Sequence, residues 1–338
     1  MTPLLGTATL FLGSAVLIYL ACEYFVNGVE WVGHRFDFGQ KATGTILAAF
    51  GTALPESVVT FVAVVFGSSA AQKEIGVGAA LGGPLVLGTL AYAVVGITLL
   101  ASRPERPRFA PLAVDHRHLS RDQGWFLLIF LGKVSLGLVV FAAKPWCGLV
   151  FLAAYAAYVW KETRSQRDES EGALEPLKLR RRETEPGTGW VLLQTLAAVL
   201  LIFGACRVFV RQLTVLGPAA GLSPQVVALL LSPIATELPE ITNAVIWVRQ
   251  RKERLALANV SGAMMIQATV PTALGLLFTP WMLSQTLLWA AGITATSVLA
   301  LYLLFRRGRM SGEKLALFAL FYVLFAVTLT IAHSLRLR

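Results

Sequence analysis

The sequence predicts an all-α membrane protein of about ten transmembrane helices, arranged as two inverted five-helix repeats. Three observations predict it: a charge-poor composition, ten apolar stretches in succession, and a duplication at a fixed offset. Of 338 residues, 56% are hydrophobic and only 14% are charged. Soluble domains carry about a quarter charged residues, so this is a membrane composition. A span needs about 20 mostly apolar residues, which leaves room for roughly ten with short loops.

The apolar stretches predict spans near 4–30, 42–66, 75–100, 124–143, 146–160, 190–216, 223–248, 255–279, 281–305 and 314–334. Met1-Thr2-Pro3 lacks the basic region of a signal peptide, so the first stretch reads as a retained span. The two clearest loops, 101–123 and 161–189, are rich in Arg, Glu, Asp and Pro. The second has the composition of a flexible solvated linker, and no fold is assigned to it. It separates a first repeat, 1–160, from a second, 190–338.

The net charge of +10 would suggest nucleic acid in a soluble protein. Here the basic residues lie between apolar runs, where they set topology and meet anionic lipid headgroups. Of the 29 Lys and Arg, 22 flank the loops after odd-numbered spans and six lie on the other side. That asymmetry places the protein in the cell membrane with the long loops cytoplasmic and both termini outside. Cys22, Cys147 and Cys206 lie in or beside apolar stretches with no disulfide or CxxC spacing, as small buried hydrophobes do.

The duplication is read directly from the residues. Ala21-Cys22-Glu23-Tyr24-Phe25-Val26 recurs as Ala205-Cys206-Arg207-Val208-Phe209-Val210, and Gly51-Thr52-Ala53-Leu54-Pro55-Glu56 as Ala235-Thr236-Glu237-Leu238-Pro239-Glu240. Both pairs stand 184 positions apart. Five spans per copy is an odd number, so the second copy enters from the opposite face. Secondary transporters are built this way, with sites near the midplane on interrupted helices.

Glu56 is the only charge in residues 42–72. A charge at the bilayer centre costs at least about 2.5 kcal/mol, so Glu56 must face a cavity, a partner or an ion. Pro55 removes a backbone donor and frees carbonyls near Gly51 and Thr52. With the Thr52 hydroxyl they form the oxygen-rich surroundings that hard cations prefer. The second copy offers Thr236, Glu237 and Glu240, with Asn243 and Asn259 as neutral donors. Pseudo-two-fold symmetry would bring Glu56 and Glu240 together as the metal-ligating pair. Close carboxylates need a cation or a proton between them, so the site would exchange one positive charge for another.

These residues resemble the alpha repeats of the cation/calcium exchanger superfamily, whose pattern is Gly-Thr-Ser-Leu-Pro-Glu followed by a Gly-Asn-x-x-Gly-Ser-Asn-like element. The resemblance implies that Glu56, Glu240, Thr52, Thr236 and Asn259 are ion ligands. Ala53 and Glu237 stand where the family has Ser, and Ala79 stands where the first repeat should supply Asn. The site therefore loses neutral oxygens and gains a third carboxylate.

The resulting expectation is a secondary antiporter, not an enzyme, exchanging Ca²⁺ or a similar cation for Na⁺ or H⁺. Two alternatives stay open: proton-coupled exchange without Na⁺, and a degenerate non-transporting relative. The expected partners are inorganic cations and the bilayer, without nucleic acid or a resident cofactor. Glycines 76, 78, 82 and 83 read as close-packing surfaces. Lys133, near the centre of the fourth span, has three readings: snorkelling, helix packing, or pairing with Glu237. Glu23 and Arg207 occupy equivalent repeat positions and are each expected to reach their own interface. His116-Arg117-His118 reads as part of a solvated loop, with pH sensing as the alternative.

Overall fold

The computed structural model describes residues 2–36, 54–103, 105, 107, 109–165 and 174–336. Among them every regular element is a helix. Six helices are each long and apolar enough to cross a membrane: Leu4–Arg35, Ala70–Ser102, Thr188–Ala219, Glu253–Phe278, Gln285–Arg306 and Gly312–Ala332. Of the other expected spans, 124–143 and 146–160 correspond to the helices His116–Leu136 and Cys147–Ser165, 223–248 corresponds to two short helices, and the part of 42–66 before residue 54 lies outside the described residues.

The first half runs through α1 (Thr2–Arg35), α2 (Leu54–Val65), α3 (Ala70–Ser102), α4 (His116–Leu136) and α5 (Cys147–Ser165). The second half mirrors it. α6 (Thr188–Ala219) matches α1, and α7 (Pro224–Thr236) with α8 (Leu238–Arg249) matches the span that ends in α2. α9 (Glu253–Phe278) and α10 (Gln285–Arg306) follow, and α11 (Gly312–Ala316) with α12 (Ala319–Arg336) closes the chain. The protein thus has ten spans in two inverted repeats of five. At 13 and 12 residues, α7 and α8 cross the hydrocarbon only as a pair.

Polarity is arranged for lipid. Leu5, Leu12, Leu196 and Leu200 stand exposed on the outer faces of α1 and α6, while Glu, Gln, Thr and Lys side chains fill the interior. α3 carries Pro84 in its interior, and just beyond it Leu87–Ala91 forms a π turn. The Ser297 hydroxyl donates to the Gly88 carbonyl at 2.6 Å within that turn.

Three expectations change. The fourth span begins at His116 rather than near 124, because Asp115 caps it through the N–H groups of Arg117 and His118. The His118 N–H, the largest influence, holds the Asp115 carboxyl below its ordinary range. His116 and His118 therefore lie in a helical first turn, with His118 Nε2 at 3.3 Å from Asp122 and not in a solvated loop. The last span is divided at Leu317 and Phe318.

The linker is the third. Residues 174–187 form a docked strap rather than a free loop. Leu177 is fully buried against Trp31 and Val191, and Trp31 Nε1 donates to the Glu175 carbonyl at 2.9 Å. The Asn27 side-chain oxygen accepts from the Lys178 N–H and from Gln194 Nε2, each at 2.9 Å. Lys178 pairs with Glu23 at 2.8 Å. Polar composition hid one buried leucine and a hub of two buried amides that join α1, α6 and the strap. Asn27→Ala strands two buried donors, each costing about 1–3 kcal/mol when unpaired. A lowered thermal unfolding midpoint of the detergent-solubilised protein is the expected result; an unchanged midpoint would show the strap to be dispensable.

Candidate ion-binding site

The second repeat places its buried carboxylates at a helix break. At α7–α8 the joint falls on Glu237, and Pro239 in the first turn of α8 lacks the N–H that would reach back to the Ala235 carbonyl. Glu240 sits in the first turn of α8 and Glu56 in the first turn of α2. Helix N-termini carry partial positive charge, which favours carboxylates there. Glu56 is 1% exposed, and Glu237 and Glu240 are fully buried.

One hydroxyl links the two halves. Thr236 Oγ1 lies 2.8 Å from Glu56 Oε2, 3.0 Å from Glu237 Oε1 and 3.2 Å from the Ser232 carbonyl. It has one proton, so it donates to one of these at a time. From α9, Gln267 Nε2 donates to both oxygens of Glu237 at 2.8 Å. That orientation follows from chemistry, because an amide N–H donates to carboxyl oxygens and an amide oxygen cannot. It turns Gln267 Oε1 toward Glu56, and neither Gln267 Oε1 nor Glu56 Oε1 has a hydrogen-bond donor. Thr60 Oγ1 and Ser232 Oγ nearby in sequence are buried and unpaired as well.

Gly83 forms the wall between them. A Cβ there would stand 2.5 Å from Gln267 Oε1 and 2.7 Å from Glu56 Oε2. The other glycines of α3 pack as expected: Gly76 against Val64, Gly78 against the Gln225 backbone, and Gly82 against the Leu229 carbonyl. Gly83 is therefore both a packing residue and the surface of the carboxylate cluster. It lies near the middle of α3, as Gln267 lies near the middle of α9, which sets the cluster well inside the membrane.

Among the expected site residues, the structure brings Glu56, Thr236 and Glu237 into contact. Glu240 is fully buried in the first turn of α8, three residues beyond Glu237. Asn243 and Asn259 are half-buried, and among the described residues neither hydrogen-bonds to the cluster; Asn259 Nδ2 is itself unpaired. Thr52 lies outside the described residues. Gln267 was missed by sequence reasoning. Its signal was its position, 27 residues after Glu240, matching the 27 from Glu56 to Gly83.

Lys133 does not pair with Glu237. Its ammonium donates to the Ala80 carbonyl at 2.9 Å and stands 5.0 Å over the Phe130 ring. It is fully buried, which also excludes snorkelling, and α4 ends only three residues later. Glu23 meets Lys178, while Arg207 stacks on Phe203 and lines a cavity of about 280 Å³ with Arg211 and Gln72, so the repeat-related charges stay apart. That cavity includes Val62 of α2 but not Glu56, so the cluster is closed from it. All three cysteines are free.

Among the described residues, no three His, Cys, Asp or Glu side chains stand close enough to hold a metal by themselves. A cation in this cluster would draw on Thr and Gln oxygens beside the carboxylates, as hard cations do.

Comparison with known proteins shows the family. The sodium/calcium exchanger protein family matches residues 7–163 and 190–331, and the chain belongs to that family. It is 26% identical over 282 residues to the inner membrane protein YrbG of Escherichia coli (strain K12), covering 82% of this chain and 81% of that one. Its fold is similar to that of the H⁺/Ca²⁺ exchanger CAX, with a TM-score of 0.76, 19% identity, and coverage of 96% of this chain and 82% of the other. It is also similar to the sodium-calcium exchanger NCX_Mj soaked with Na⁺ and Sr²⁺, with a TM-score of 0.60, 20% identity, and coverage of 97% and 99%.

Proposed function

We propose that the protein is a secondary antiporter that exchanges Ca²⁺ or a similar cation for Na⁺ or H⁺ by alternating access. The observation that carries this reading is the meeting of Glu56 from one repeat with Thr236 and Glu237 from the other, wholly buried. Carboxylates so placed release one positive charge only against another. Glu56, Glu237, Glu240, Thr236 and Gln267 are the proposed ligands in this state, with Thr52, Asn243 and Asn259 completing the set as the helices move. In this reading the protein lies in the cell membrane with 161–189 cytoplasmic and both termini outside.

Glu237 favours a second reading, exchange coupled to protons alone. It adds a carboxylate where the first repeat has Ala53, and it shares the Thr236 hydroxyl with Glu56. A carboxyl in that position carries a proton without a sodium ion. Counterflux of reconstituted protein, loaded with Ca²⁺ and driven in turn by Na⁺, K⁺ and H⁺ gradients, tests both. Uptake above that of protein-free liposomes is expected under a Na⁺ or an H⁺ gradient. Uptake driven by Na⁺ with pH clamped sinks the proton-only reading, and no uptake under any gradient sinks both.

A further inference from the structure

Lys133 is a buried amine that the exchange reading leaves unused. Its backbone is fixed, because Trp281 Nε1 donates to the Lys133 carbonyl at 3.0 Å. Its ammonium is not. Among the described residues its three N–H donors meet one acceptor, the Ala80 carbonyl, and no carboxylate lies within ion-pair distance. A charge held this loosely in a protein interior needs a counter-charge. The candidate is Glu56, which meets α3 at Gly83 as Lys133 meets it at Ala80. The route between them is short. Ala80 and Gly83 lie one turn apart on α3, and Gly83 opens directly on Glu56 Oε2.

We propose that the Lys133 ammonium is a tethered counter-cation, which balances Glu56 when the cargo ion has left and is displaced when cargo returns. This rests on Glu56 being a cargo carboxylate. The cluster then never presents its full negative charge to the membrane, and cargo must outcompete an ammonium already in place. Lys133 thereby sets the affinity of the site and favours divalent over monovalent ions, which compete less well with it.

Equilibrium Ca²⁺ titration of the purified full-length protein tests this, using wild type, Lys133→Met and Lys133→Arg. Removing the competitor is expected to lower the Kd of Lys133→Met roughly tenfold, with Lys133→Arg staying near wild type. A merely structural lysine would shift the unfolding midpoint and leave Kd alone, so a folded Lys133→Met with wild-type Kd overturns the inference. Absence of saturable Ca²⁺ binding in wild type would overturn the exchange reading and this inference with it. If Lys133→Met does not fold, the wild type decides: dicyclohexylcarbodiimide should join Glu56 to Lys133 as an isopeptide in cation-free protein and not in saturating Ca²⁺. No isopeptide in either condition overturns the proposal.

Discussion

Replacing both carboxylates, as Glu56→Gln with Glu240→Gln, is expected to abolish cation counterflux in proteoliposomes, by at least about a hundredfold. Each glutamine keeps the size and one oxygen of the original side chain, so Thr236 retains an acceptor 2.8 Å away at position 56. What disappears is charge. An amide binds Ca²⁺ through a neutral oxygen and takes no proton, so it can support neither half of an exchange cycle. The fold should persist or gain stability, since a carboxylate buried within the bilayer costs at least about 2.5 kcal/mol. Thermal unfolding of the variant at or above the wild-type midpoint, together with lost flux, is the predicted pair of results. Wild-type flux would show that the cluster is not the transport site.

The fold was legible because lipid imposes a strong pattern on sequence. Ten apolar runs and a repeat offset of 184 marked the ten spans, within several residues at most of the described ends. The errors have local causes. The start of α4 was misplaced because its first turn is charged, and a helix capped by Asp115 runs on beyond the apolar stretch. The strap at 174–187 was read as solvated because its order comes from tertiary contacts with Asn27, Trp31 and Gln194, which no local composition reveals.

The site was half legible. Leu-Pro-Glu marks itself, since a proline beside a carboxylate in an apolar span has few other uses. Gln267 carried no such mark. The resemblance pointed to Asn259, whereas the structure sets Gly83 opposite Gln267, an offset of 184. Eight residues, or about 12 Å of helix, separate the two candidates. The register that matters is the one that brings side chains to the break, and only packing supplies it. The two repeats then prove complementary rather than symmetric: α3 contributes an absent side chain at Gly83, and α9 fills that space with an amide.

The contrast between Gly82 and Gly83 tests that complementarity and carries the second large expected effect. A Cβ at Gly82 would stand 2.6 Å from the Leu229 carbonyl, part of a packed helix that cannot yield by a side-chain rotation. Gly82→Ala is therefore expected to destabilise the protein by about 1–3 kcal/mol, seen as a lower unfolding midpoint. At Gly83 the obstructing atoms are the ends of Gln267 and Glu56, which can rotate away. Gly83→Ala should fold with a smaller loss of stability and yet lose transport, with cation affinity falling at least about tenfold as those oxygens leave the cluster. Unfolding midpoints and counterflux, measured on both variants, separate the roles. Normal transport by a folded Gly83→Ala would show that the space beside Glu56 is packing alone and not part of the ion path.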